Sequence, residues 1–263
     1  MLLLCLFTGC SDSSDDKMGE PEVIPAGVIN EVIMYEANLK VFARTGAFNA
    51  ISSRLDEIKA LGINVLWLMP VYEEGVKDAI GSPYCVKDYK KVNEAYGTLE
   101  ELKALVKKAH EKDMRVILDW VANHTSWDNA WIQNKSWYTQ DAGGNIVSPE
   151  GMGWTDVADL DYSNTEMREA MLDAMKYWIT EADVDGFRCD HAEGVPDDFW
   201  AQAINELKAL KGAGLLMLAE GSKSSLYTAG FDIVYGWEFA SKLGDVFSGK
   251  ATFSALYDVH KKE

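Results

Sequence analysis

The chain has 263 residues, 48% of them hydrophobic, and a net charge of −17 from 25 Lys plus Arg against 42 Asp plus Glu. That length accommodates one α/β barrel or two smaller domains around a sizeable core. The charge balance argues against nucleic acid or an anionic membrane surface as partner and favours a neutral or cationic ligand.

At the N-terminus, Met1 to Gly9 is a short apolar run ending in small residues before Cys10. It resembles the end of a bacterial lipoprotein signal, which implies cleavage before Cys10, a lipid anchor on that residue and export to the outer membrane or cell surface, with a periplasmic or cytoplasmic location as the alternative. No other run is long enough to cross a bilayer. Ser-Asp-Ser-Ser-Asp-Asp (11–16), Pro21 and Pro25 then form a polar, acidic tether without a packing face. Residues 1–27 are therefore read as signal and tether, and 28–263 as the folded unit. The cysteines, Cys5, Cys10, Cys85 and Cys189, lack the close spacing of a zinc or redox motif, and no disulfide framework is expected.

From about residue 30, short apolar strands alternate with amphipathic helices, the pattern of βα units and a parallel sheet or barrel. Val32 to Glu36 reads as a first strand. Ile51, Leu55, Ile58 and Leu61 predict one helix that stops at Gly62. Asn64 to Met69, closed by Pro70, reads as a strand buried on both faces. Leu99, Leu102, Leu105, Val106 and Ala109 predict a helix with Thr98 as N-cap, and Arg115 to Asp119 a third strand. Residues 124–163 lack periodicity and are too long for an ordinary βα loop, which suggests a small inserted subdomain or else a structureless excursion. Met167, Met171, Met175 and Trp178 mark a helix beginning near Asn164, and Ala182 to Asp190 the strand after it. Phe199, Ala203, Leu207 and Leu210 predict another helix, Leu215 to Ala219 a strand ending at Glu220, and Phe231 to Tyr235 a weaker sixth strand followed by helical sequence.

Three strands end in acids: Asp119, Asp190 and Glu220. In a parallel barrel all strand carboxyl ends lie on one rim, where active sites are built. Arg188 and Asp190 share a face of their strand, with Phe187 and Cys189 on the other. The adjacent guanidinium is expected to lower the Asp190 pKa and keep it ionised; a buried structural ion pair is the alternative. Glu220, following Leu-Leu-Met-Leu-Ala, is expected to be held protonated by desolvation, or else to be a capping or salt-bridged acid. An ionised and a protonated carboxyl at roughly 5 to 5.5 Å is the equipment of retaining glycoside hydrolysis.

Asp119-Trp-Val-Ala-Asn-His124 resembles the first signature of the α-amylase superfamily, glycoside hydrolase family 13. Gly186-Phe-Arg-Cys-Asp190 resembles its second, Leu218-Ala-Glu220 its third, and Asp159-Leu-Asp161 the motif near the end of its inserted domain B. The resemblance implies a (β/α)8 TIM barrel, represented here by about six βα units, with a short domain B at 124–163 after the third strand. It implies Asp190 as nucleophile, Glu220 as general acid/base, Arg188 as the group orienting Asp190, and Asp119 as support for Arg188. His124 would hydrogen-bond a sugar hydroxyl, Tyr84 would stack beneath the sugar, and Asp88 and Tyr89 would be architectural. Asn123 and Asp159 match ligands of the family's structural calcium. The implied activity is α-amylase-like cleavage of α-1,4-glucosidic bonds in starch or maltooligosaccharides, with transglycosylases and oligosaccharide glucosidases sharing the same residues.

Two departures accompany the resemblance. Glu193 and Gly194 stand where many amylases carry Lys-His, so contacts on the leaving-group side do not transfer. The family's fourth signature, Asn-His-Asp, has no counterpart before Glu263, and with it the third catalytic acid is missing. The chain therefore reads as a C-terminally truncated enzyme, with a noncatalytic α-glucan-binding protein or remnant as the alternative.

Overall fold

A computed structural model describes residues 32–260. Cys10, the acidic tether and the lipid anchor expected there lie outside the described residues. The first elements are β1 (Met34–Ala37), α1 (Leu39–Phe42), α2 (Ala47–Ser53), α3 (Leu55–Ala60), β2 (Val65–Leu68), β3 (Tyr72–Glu74), β4 (Val86–Val92), α4 (Leu99–His110) and β5 (Arg115–Val121). They are followed by β6 (His124–Ser126), β7 (Val157–Asp159), α5 (Thr165–Ala182), β8 (Gly186–Asp190), α6 (Asp197–Lys211) and β9 (Leu216–Ala219). The last are α7 (Ser225–Ala229), β10 (Ile233–Val234), α8 (Trp237–Phe247) and α9 (Phe253–His260).

Strands β1, β2, β5, β8, β9 and β10 pair in that order, all parallel, in one curled six-stranded sheet. This is the expected set of six βα units of a (β/α)8 fold. Alternation along the strands divides the core. Leu66, Leu68, Val116, Leu118, Phe187, Cys189 and Met217 pack against the helices, whereas Val65, Trp67, Ile117 and Leu216 form a separate cluster on the other face. Each fully buried large apolar side chain contributes on the order of 1.5–3 kcal/mol.

Local chemistry explains where the helices begin. Thr98 accepts from the Glu101 amide while Glu101 reaches back to Thr98, a complete capping box, and Asn164 accepts from the Met167 amide to start α5; such caps contribute about 1 kcal/mol each. Two predicted spans are corrected. The helix predicted from Ile51 to Leu61 is interrupted at Arg54 (φ −109°, ψ 7°), and Leu61 is exposed at its end. The strand predicted from Ala182 starts only at Gly186, because α5 continues through Ala182 and ends on Asp183 in the left-handed conformation.

Residues 124–163 are ordered, not a structureless excursion. β6 and β7 pair antiparallel with His124 opposite Asp159, and bridges join Tyr138 to Leu160 and Gln140 to Ile146. The hairpin β3–β4 has no counterpart in the sequence reading. It is tied down by Tyr89, whose hydroxyl lies 2.7 and 2.8 Å from the carbonyls of Val121 and His124, and whose own carbonyl accepts from the Trp178 indole at 2.7 Å. Tyr89 is thus architectural, as expected, while Asp88 is exposed and accepts from the Lys90 amide. Cys85 and Cys189 are both buried and free. No helix among the described residues is long and apolar enough to cross a membrane.

Candidate active site

The strand ends bring the three predicted acids onto one guanidinium. Arg188 on β8 reaches Asp119 of β5 with Nη1 at 2.9 Å, Asp190 of its own strand with Nη1 at 2.8 Å, and Glu220, just past β9, with Nη2 at 2.8 Å. Its Nε donates to the Tyr235 hydroxyl at 3.2 Å. The rings of Trp67, Tyr84 and Tyr235 surround the cation with centroids 5.0, 6.0 and 5.7 Å away, an arrangement that favours Arg over Lys because the planar fork can serve several acceptors while stacked.

Asp119 is fully buried, and its second oxygen accepts from the Trp67 indole and the Tyr84 hydroxyl, both at 3.1 Å. Even so, burial outweighs these donors and pushes its pKa up to about 6. Asp190 is pushed further, to about 8, first by burial and then by the charge of Asp119, with Arg188 opposing and Glu220 adding to the rise. This corrects the expectation that Arg188 would hold Asp190 below its usual range. One guanidinium divided among three carboxylates does not offset both desolvation and like-charge crowding. The burial assumed for Glu220 is also absent: its side chain is 29% exposed, with one oxygen on Arg188 and the other accepting from the His191 amide at 2.8 Å.

A cavity of about 530 Å³ opens over this cluster, bordered by Tyr84, His124, Trp154, Asp190, Glu220 and Trp237. The volume suits a small-molecule ligand. His124 sits at its edge, and burial lowers its pKa to about 4, leaving a neutral ring at ordinary pH. Tyr84 borders the same cavity as its hydroxyl supports Asp119, so the predicted substrate-side residues meet at one place.

Several residues around the site went unrecognised in the sequence. Trp67 lay hidden in an unbroken apolar run, yet its alternate-face position puts it under Arg188. Tyr235 follows a strand of only two residues. His191 adopts φ 42°, a left-handed conformation uncommon for a non-glycine residue, and thereby turns its amide toward Glu220. Glu193, noted only as a departure, borders the cavity and accepts from the Ser222 and Lys223 amides at 2.6 and 3.1 Å, bracing the loop after Glu220.

Asn123 is buried and Asp159 lies opposite its neighbour His124 in the β6–β7 pair; burial raises the Asp159 pKa. Their oxygens suit calcium in kind. In number they do not make a cage of six to eight ligands, and among the described residues no group of three or more His, Cys, Asp or Glu is arranged to hold a metal ion.

Comparison with known proteins agrees with this geometry. The family described as "Alpha amylase, catalytic domain" matches residues 11–143 and 152–216. Alpha-amylase 3 of Dictyoglomus thermophilum is 33% identical over 210 residues, covering 68% of this chain and 41% of that protein. A trehalose synthase of Pimelobacter sp. is 30% identical over 203 residues, covering 65% and 35%. The crystal structure of the maltogenic α-amylase AmyB from Thermotoga neapolitana superposes with a TM-score of 0.79 at 38% identity, covering 86% of this chain and 54% of that one. That of an α-amylase from Lactobacillus plantarum gives 0.80 at 34%, covering 88% and 58%. The chain thus spans less than half the length of the curated relatives it matches. With the family match taking in well over half of its residues, the chain belongs to the alpha-amylase family, glycoside hydrolase family 13.

Proposed function

We propose that this protein is a retaining α-glucan hydrolase that cleaves α-1,4-glucosidic bonds in starch or maltooligosaccharides. The observation that supports it best is the convergence of Asp119, Asp190 and Glu220, from three strand ends, on Arg188 beneath one open cavity. In this reading the Asp190 carboxylate attacks the anomeric carbon while Glu220 gives its proton to the departing glycosidic oxygen. Water then opens the glycosyl ester as Glu220 takes the proton back. The crowding of carboxylates that costs stability in the resting protein is compensated when positive charge builds on the sugar, so the same repulsion becomes transition-state stabilisation.

Asp190→Asn in the purified protein tests the assignment. Release of reducing ends from maltoheptaose is expected to fall by at least about a thousandfold, the scale on which loss of a covalent nucleophile acts; near-normal turnover would refute it. Product analysis on starch, cyclodextrin and sucrose separates hydrolysis from transglycosylation. A second reading is glucan binding without turnover, favoured by the burial and the neighbouring Asp119 charge that raise the Asp190 pKa and so disfavour the ionised nucleophile. It requires maltoheptaose to bind the wild type with no product formed. Lipid attachment at Cys10 remains part of the proposal for location, and Cys10→Ser is expected to release the protein from the membrane fraction.

A further inference from the structure

Tryptophan is abundant in this chain, and most of it is committed to packing. Trp120, Trp178 and Trp200 are fully buried, Trp131 and Trp137 pack on each other and on the core, and the Trp127 indole donates to the Thr155 carbonyl at 2.9 Å. Trp67 is engaged beneath Arg188. Trp154 and Trp237 are placed otherwise, since both border the cavity above the acids. Trp154 comes from the inserted segment between β6 and β7. Its ring lies 5.5 Å from that of His124 and 5.2 Å from that of His191, at interplanar angles of 64° and 82°. Two imidazoles from different strand ends thus brace the indole, and neither is stacked parallel to it, so no flat partner is already in place. The flanking glycines, Gly151 and Gly153, have φ of 73° and 72° with open space around them, which sets the indole on a short arch of its own. Trp237 begins α8, is half exposed, and packs edge-on against Tyr235 at 4.8 Å.

We propose that Trp154 is a specificity-determining residue: an aromatic platform, supplied by the insertion, on which a sugar ring of the bound glucan stacks, with Trp237 as a second aromatic contact. This rests on the α-glucan reading above and deepens it. The chemistry is that of a pyranose face, whose axial C–H groups suit an indole surface while its edge hydroxyls meet His124 and the carboxylates. The cavity border includes Asp156, Asp190, Glu193 and Glu220 and no Lys or Arg, so the ring that stacks carries no negative charge. The ring contacts of Trp154 are to His124 and His191, and an indole has no proton to give or take at neutral pH, so its part is in affinity and not in bond breaking.

Isothermal titration of the purified protein with maltoheptaose, comparing the wild-type, Trp154→Ala and Trp154→Phe forms, each in an Asp190→Asn background so that the ligand is not consumed, tests this. Trp154→Ala is expected to weaken binding about tenfold or more, the scale set by losing a central aromatic anchor. Trp154→Phe is expected to recover most of that loss, and unfolding temperatures are expected to stay together, because Trp154 is outside the core. Wild-type affinity in Trp154→Ala overturns the inference and leaves the α-glucan reading intact. A Trp154→Phe protein as weak as Trp154→Ala also overturns it, since an aromatic face would then not suffice. Absence of maltoheptaose binding by the wild type instead overturns the proposed function on which the inference rests.

Discussion

Burial and the charge of Asp119 make Asp190 a weaker acid in the folded chain than in the unfolded one. Its pKa of about 8 in the folded protein stands against about 3.9 for a free aspartate. For an acid raised in this way, the folded state binds more protons between those two values. The stability it contributes is fully present below about pH 4 and is lost as pH rises toward 8. Asp190→Asn removes both the desolvated charge and its repulsion with Asp119 and Glu220. The expected result is a rise in unfolding temperature of about 3 °C or more at pH 8, shrinking toward pH 4. Thermal unfolding across that range measures it; a loss of stability at pH 8 would show that the Arg188 contact outweighs the crowding. The same substitution is expected to abolish turnover, so stability and activity are set against each other at one side chain.

Among the elements, β8 owes its position to the absence of a side chain. Gly186 sits opposite Leu216 of β9 with φ 146°, and a Cβ added there would lie 1.9 Å from the Leu216 carbonyl oxygen. Backbone cannot yield as a flexible side chain does, so Gly186→Ala is expected to cost about 3 kcal/mol or more, read by denaturant unfolding; a cost under about 1 kcal/mol would mean that the two strands separate freely. This glycine was visible in the sequence as part of a signature, but its reason was not, because the contact is to a residue thirty positions away. The βα alternation, the Thr98 and Asn164 caps and the acids at strand ends were legible because each is encoded within a few residues. The hairpin β3–β4 was not. Its buried residues Val86, Tyr89 and Val92 recur every third position across register shifts, so the two-residue alternation that betrays a strand is missing. The direction of the Asp190 pKa shift is illegible in the sequence for a similar reason, since local sequence shows Arg188 two residues away and hides Asp119 and Glu220.

On the scale of the whole molecule, the described residues present exposed apolar surface. Trp237 and Tyr257 are exposed, Phe247 and Phe253 are 80% and 77% exposed, and β1 and β10 are the outer strands of the sheet. Unpaired edges and large apolar patches drive association. Produced as these 263 residues, the protein is expected to bind a hydrophobic dye such as ANS and to self-associate with rising concentration, and Phe247→Glu with Phe253→Glu is expected to reduce both. A dye-silent monomer at every concentration would contradict this. The Arg188 node also has a consequence in time. Its partners are drawn from β5, from the end of β9 and from Tyr235 beyond β10, so it closes only after four strands have found their register. Contacts that need several strands already in register are expected to form after the folding barrier. Replacing Arg188 with Ala should therefore quicken unfolding while leaving the refolding rate nearly unchanged, so that the three acids and their shared cation set how long the protein stays folded more than how fast it gets there.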